Sequence, residues 1–222
     1  MSNYKITTLN KVQRGPKRAT YDIETINNIL DAGFIAHVAY NYHGKAITIP
    51  MAYARIEDKV YVHGSLKNRM LLSLLEAKEA SMTIMHLDGL VLARSAFHHS
   101  VNYRSATLFG PIKKIEDKNE KDIILEAIVD QMIPNRWDSL RTMTNKERNA
   151  TLVLELTINT ASAKVRADGV NDEKSDEELP IWAGIVPVKQ IALLPESDKL
   201  LDESVKIPNH VMEYYEKNKA AL

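Results

Sequence analysis

The chain has 222 residues, 45% of them hydrophobic and 26% charged, with 29 basic against 29 acidic side chains. That is the profile of one soluble domain, or of a domain with additions, and zero net charge excludes a strong nonspecific pull on nucleic acid. The absence of cysteine excludes disulfides, zinc–thiolate and iron–sulfur sites, and a cysteine nucleophile.

Residues 1–19 are polar and basic, with Gly15-Pro16 marking a turn, and read as an extended arm. They hold no apolar run, so no secretory leader is expected. No stretch approaches the roughly 18–20 apolar residues of a membrane span. The expectation is a cytoplasmic protein without membrane or nucleic-acid partners. Thr20 or Asp22 can cap a helix that carries Ile23, Ile26, Ile29 and Leu30 at helical spacing, with Gly33 as a stop signal. Phe34 to Tyr42, Lys45 to Ile56 and Val60 to His63 read as three strands joined at His43-Gly44 and at Glu57-Asp58-Lys59, an antiparallel meander.

The period then changes. Leu66 to Lys78 places Met70, Leu71, Leu74 and Leu75 on one helical face. Ser81 to Ala96 reads as a strand broken at Asp88-Gly89, and Tyr103 to Ile115 as another with a bend at Gly110-Pro111. Asp117 to Ile133 is helical, with an apolar stripe of Ile123, Ile124, Ala127, Ile128 and Met132. Trp137 is expected to pack a helix on the sheet. A short helix over 144–149 precedes strands at Thr151 to Ile158 and Ala161 to Arg166. The acidic stretch Asp168 to Glu178 reads as a mobile, solvated loop. Ile181 to Leu194 reads as a last strand or strand pair, and a helix is expected at His210–Lys219. Residues 1–194 are taken as one domain with an N-terminal arm, and 195–222 as a polar, helical extension. About six or seven closely spaced strands with inserted helices predict a mainly β fold, an antiparallel barrel.

The eight glycines are never closer than 11 residues apart. A dinucleotide fingerprint, a P-loop and a nucleophile elbow all need closer glycines.

The stretch His63-Gly64-Ser65-Leu66-Lys67-Asn68-Arg69 lies where a strand gives way to a helix. A hydroxyl, a glycine that admits close approach, two cations and a helix start together make a pocket for a terminal phosphate. The same residues also read as a capped helix with two solvated cations. Asn102, Tyr103, Arg104 and Ser105 bring polar side chains into a strand and could line a groove for a heterocycle. His98 and His99 invite a metal, but neighbours on a strand point to opposite faces, so no metal site is expected. Trp182 reads either as a stacking surface for a planar ligand or as core. Lys164 and Arg166 share a strand face, where salt bridging is the ordinary explanation. No paired carboxylates or nucleophilic triad stand out, so no catalytic side chain is named.

Read in order, several runs resemble the FMN-binding split-barrel superfamily. They are Arg18-Ala19-Thr20-Tyr21-Asp22, Ile49-Pro50-Met51-Ala52-Tyr53, Val60 to Ser65, Leu87 to Ser100, Asn102 to Ser105, Ala163 to Arg166 and Trp182-Ala183-Gly184. The closest branch is the pyridoxamine-phosphate-oxidase-related flavin-nucleotide-binding proteins, which also resemble nitroimidazole-resistance proteins. The resemblance covers about residues 15–190. It implies a homodimer of six-stranded Greek-key split barrels with FMN at the interface. Ser65, Lys67 and Arg69 would hold the FMN phosphate, and His63 and Gly64 would flank the flavin. Asn102, Tyr103, Arg104 and Ser105 would approach its ring or ribityl chain, and Trp182 would close the site from the partner subunit. The implied function is an FMN-dependent oxidoreductase acting on a small molecule or electron acceptor. A non-catalytic FMN store or sensor and a heme-handling split barrel, with His63, His98 or His99 as ligand, are the alternatives. The arginine- and histidine-rich C-terminal segment of the true oxidases is missing after Trp182. Residues from Pro195 onward have no counterpart in the pattern.

Overall fold

The computed structural model describes residues 2–220. Its elements in chain order are β1 (Ala19–Thr20), α1 (Ile23–Asp31), β2 (Ile35–Tyr42), β3 (Lys45–Ile56), β4 (Lys59–Ser65), α2 (Arg69–Ala77) and β5 (Glu79–Leu92). Then come β6 (Ser100–Lys114), α3 (Lys118–Met132), α4 (Asn145–Ala150), β7 (Thr151–Thr157), β8 (Thr160–Arg166), β9 (Gly184–Pro187) and α5 (Asn209–Asn218).

Every strand pairing is antiparallel. Six strands close a ring in the order β6-β7-β4-β3-β2-β5 and back to β6, while β8 and β1 extend from β6 and β9 from β5. The expected six-stranded barrel is therefore present, with three further strands on its flanks. Two long strands make the closure by changing partners along their length. Lys45 to Ala52 of β3 pairs with β2, and Tyr53 to Ile56 pairs with β4. The first part of β6 lies between β5 and β8, and Ile112 to Lys114 pairs with β7. The strand crosses at Gly110, where a Cβ would lie 1.8 Å from the Thr157 carbonyl oxygen. Only glycine fits there.

Alternation fills the barrel. Ala36, Val38 and Tyr40 of β2, Val60 and Val62 of β4, Met82 and Ile84 of β5, and Ala106 and Leu108 of β6 point inward with three leucines of β7. Helices α1 and α2 add Ile26, Ile29, Leu30, Met70, Leu71 and Leu74 to the same core. A second core lies outside the ring, where α3 covers β3, β4 and β7 through Ile124, Leu125, Ile128, Tyr61 and Val153. Strand β7 is buried on both faces for this reason. Its Glu155, 1% exposed, takes ion pairs from Lys59 and Lys113 at 3.3 and 3.2 Å and so ties β4, β6 and β7 together.

Several sequence expectations shift. Asp22 is the N-cap of α1, accepting from the Thr25 amide at 2.8 Å. Gly33 has an ordinary negative φ and is required for space instead, because a Cβ there would sit 2.8 Å from the His86 ring. The stripe of α3 is rotated, so Leu125 is buried and Ile123 is 60% exposed. Trp137 packs on the outer core as expected. Strand 181–194 shrinks to β9, since only Gly184 to Leu92 and the three pairs after it carry ladder bonds. The acidic loop is pinned: Arg94 bonds Asp172 at 2.8 Å, the Asp172 side chain is 1% exposed, and His98 lies 3.5 Å from Glu173.

Candidate flavin and phosphate site

Strand β4 ends on His63-Gly64-Ser65 and a tight turn leads into α2. The helix is capped by Asn68, whose side chain accepts from the Leu71 amide at 3.2 Å. Ser65 is therefore not the cap. Its hydroxyl accepts from the Lys67 amide at 3.2 Å and stays exposed. Gly64 lies against Leu71 and Asn68, which a Cβ would approach to 3.1 and 3.2 Å. Lys67 is exposed. The Arg69 guanidinium lies 4.6 Å from the Tyr42 ring centroid and donates to the Tyr40 hydroxyl at 3.2 Å. Among the described residues no carboxylate pairs with Lys67 or Arg69. Tyr40 also lines a groove of about 620 Å³ with Leu9, Leu74, Ala77, Phe109 and Asn159. That volume is in the range of small-molecule sites, roughly 300–1,000 Å³.

His63 points to the other side of β4 from Gly64, the side it shares with Tyr61. Its Nδ1 is buried without a hydrogen-bond partner, and burial pushes the imidazole below its usual pKa. The neutral ring is thereby favoured.

The second group lies on β6. Asn102 is buried and accepts from Arg166 Nη1. Arg104 is held by Asp88 in a two-bond pair at 3.0 and 2.9 Å, at the bulge between Leu87 and Gly89 of β5. The hydrogen bonds it donates to Asp88 raise its pKa. Arg104 is thus engaged within the protein. Tyr103 and Ser105 point out of the barrel. Register puts them on one outward face with Met85 and Leu87 of β5 and, through β5, Ile35 and His37 of β2.

Trp182 precedes β9, which pairs with the same stretch of β5 as Asn102 does. It is 67% exposed, and its ring covers Gly184, where a Cβ would meet it at 2.8 Å. The structure thus brings Gly64, Ser65, Lys67 and Arg69 together, with His63 turned to the other side of β4, and separately Asn102, Tyr103, Arg104 and Ser105. No hydrogen bond or ion pair joins these groups to each other or to Trp182 among the described residues.

Lys164 and Arg166 form no salt bridge among the described residues. Lys164 Nζ donates to the Arg14 carbonyl at 3.3 Å. Arg166, 4% exposed, spends its guanidinium on Asn102 and on the carbonyls of Asp168 and Gly169. Of the histidine pair, His99 Nδ1 lies 2.9 Å from the Ser95 carbonyl. No group of three His, Asp or Glu is placed to hold a metal among the described residues. Sequence reasoning missed Tyr40 and Tyr42, which seat Arg69. Their alternation on one face of β2 was the available signal. It also missed Asp88, which carried no signal beyond a turn.

Known proteins can now be set beside this geometry. A family model described as pyridoxamine 5'-phosphate oxidase matches residues 22–165. No curated protein matches the sequence. Among solved structures, the flavocytochrome Anf3 from Azotobacter vinelandii is 36% identical with a TM-score of 0.89, over 94% of this chain and 97% of that one. The FAD and heme binding protein from Mycobacterium smegmatis is 32% identical with a TM-score of 0.84, over 89% and 97%. A 5-nitroimidazole antibiotic resistance protein from Bacteroides thetaiotaomicron shares the fold at 19% identity and a TM-score of 0.57, over 66% and 86%. The flavocytochrome likeness leaves only 6% of this chain uncovered, fewer residues than follow 194, so it takes in part of the C-terminal extension.

Proposed function

The chain belongs to the pyridoxamine 5'-phosphate oxidase family, and on that premise we propose that it is a flavoprotein whose flavin phosphate rests on Ser65, Lys67 and Arg69. The observation that carries the reading is the pair of cations at the start of α2, neither of them neutralised by a carboxylate. Arg69 is also held in position by Tyr40 and Tyr42, so little ordering is left to do when an anion arrives. A phosphate fits this donor set: one hydroxyl, one ammonium and one guanidinium.

The sequence points to FMN. The two whole-chain relatives are a flavocytochrome and a protein named for FAD and heme, and they support FAD as the flavin and heme as a second group. Both flavins carry a phosphate next to the ribityl chain, so the same residues serve either. His63 favours heme, because its half-buried, unbonded and neutral imidazole is what a heme iron takes. When bound, these groups supply hydride and one-electron transfer. The side chains hold the phosphate and keep the imidazole unprotonated. A homodimer with the cofactor between subunits, a small-molecule donor or acceptor and a cytoplasmic setting complete the reading.

The test is the visible spectrum of the purified protein, followed by titration of the cofactor-free protein with FAD, FMN and riboflavin. Flavin bands, a Soret band and a preference for FAD over riboflavin are expected. A colourless protein that takes up neither flavin nor heme overturns the reading.

A further inference from the structure

Register sets Ala39 of β2, Ser81 of β5, Phe109 of β6 and Thr160 of β8 side by side on the outer face of the sheet. Asn41 and the residue opposite it on β3, Ala46, share that face. Ala39, Ala46 and Ser81 are short, so the row sinks into the groove beside Tyr40, which Phe109 and, from α2, Leu74 and Ala77 help to wall. Residues near the start of the chain, Thr7 and Leu9, add a rim. That rim is fixed in place. The Thr7 amide donates to Asn10 Oδ1 at 2.7 Å, and Asn10, 2% exposed, donates to the Ala161 carbonyl at 2.9 Å. The groove of about 620 Å³ is therefore preformed, and filling it requires little ordering of the protein.

The charge of this groove is one-sided. Among the described residues no lysine, arginine or histidine lines it, and Glu79 is the one lining group charged at neutral pH. Alternation along β5 puts Glu79 on the same face as Ser81. Glu79 is exposed and forms no ion pair among the described residues. An anionic ligand would enter against this carboxylate and find no cation to receive it. An apolar body that carries a positive charge meets a partner for each of its parts.

We infer that the groove binds a small apolar amine, with its body over Ala39, Ser81 and Phe109 and its ammonium on Glu79. The site is distinct from the cationic start of α2 and meets it at one residue. Tyr40 lines the groove and accepts the hydrogen bond from Arg69 at 3.2 Å. Nothing in the inference depends on a bound flavin.

The experiment titrates the purified full chain, near neutral pH and by calorimetry, with three indoles of similar shape: tryptamine, the uncharged tryptophol and the anionic indole-3-propionate. Tryptamine should bind about fivefold more tightly than tryptophol, the effect of one solvent-exposed ion pair. Indole-3-propionate should bind more weakly than either. Glu79→Gln should bring tryptamine down to the level of tryptophol and leave tryptophol unchanged. Ala77→Phe, at an exposed position of α2, should weaken tryptamine and tryptophol by about tenfold or more, because the ring fills the groove. Should that variant fail to fold, photolabelling of the natural chain with 4-(aminomethyl)benzophenone decides, and its labels should fall within residues 74–81 or 109–110. No binding of tryptamine, a preference for the amine that survives Glu79→Gln, or labels elsewhere would overturn the inference. Displacement of tryptamine by riboflavin would also overturn it, by making the groove a flavin-ring site. Flavin uptake by the same samples keeps the two readings separate. Amine binding in a protein that takes up no flavin upholds the groove and removes the flavoprotein, and a flavin-bearing protein that ignores all three indoles does the reverse.

Discussion

Lys67 and Arg69 differ in what holds them. Arg69 is clamped between two tyrosines, while Lys67 is free in solvent. A charge-assisted hydrogen bond contributes roughly 1.5–3 kcal/mol, with the exposed lysine at the low end. Lys67→Ala together with Arg69→Ala should therefore weaken FAD and FMN about a hundredfold or more and leave riboflavin nearly unchanged, as read by fluorescence titration. Equal losses for all three would place the phosphate elsewhere. His63 gives a pH signature. Burial holds its folded pKa below the ordinary value, near 6.5, that it has in the unfolded chain. The unfolded chain thus takes up a proton first on acidification. Its contribution is intact above about pH 6.5 and is lost as pH falls toward the folded pKa. Melting temperatures at about pH 7.5 and 5.5 should diverge less in His63→Gln than in the natural protein.

At the scale of elements, the crossing of β6 at Gly110 is the most exacting point. Gly110→Ala would force a methyl to 1.8 Å from the Thr157 carbonyl, and the Asn159 amide bond to Phe109 keeps that backbone from yielding. A loss above about 4 kcal/mol is expected by urea unfolding, or no soluble protein at all. The acidic loop behaves differently. Asp172→Asn removes the anchor to Arg94, and limited proteolysis should then cut within residues 168–178 well before the barrel opens. Alternation and capping made most strands and helices readable, and His43-Gly44 forms its turn with positive φ at both residues. What local pattern could not reveal were contacts from afar. Ile123 and Leu125 trade places because α3 packs on β3 and β4, and the loop's buried aspartate depends on an arginine 78 residues earlier.

At the scale of the whole molecule, the six-stranded ring places its two polar clusters in different parts of the sheet, and only a second copy offers a second set of each. This is why the site was half legible. Ser65, Lys67 and Arg69 are neighbours in sequence and stay neighbours in space, whereas a relation to Asn102 and Trp182 rests on the proposed dimer. If two copies share the cofactor site as proposed, folding and association are linked, and the melting temperature should rise with protein concentration. Scans at protein concentrations about a hundredfold apart check this, and coincident curves would contradict it. The closed ring also sets an order of events. Strand β4 waits for β7, 98 residues later from Lys59 to Thr157, and β1 waits for β8, 145 residues later from Ala19 to Lys164. Such distant pairings make folding slow. During synthesis the meander of β2, β3 and β4 must therefore sit with an open edge until residue 157 has emerged, and a chain cut short before β7 has no way to close it.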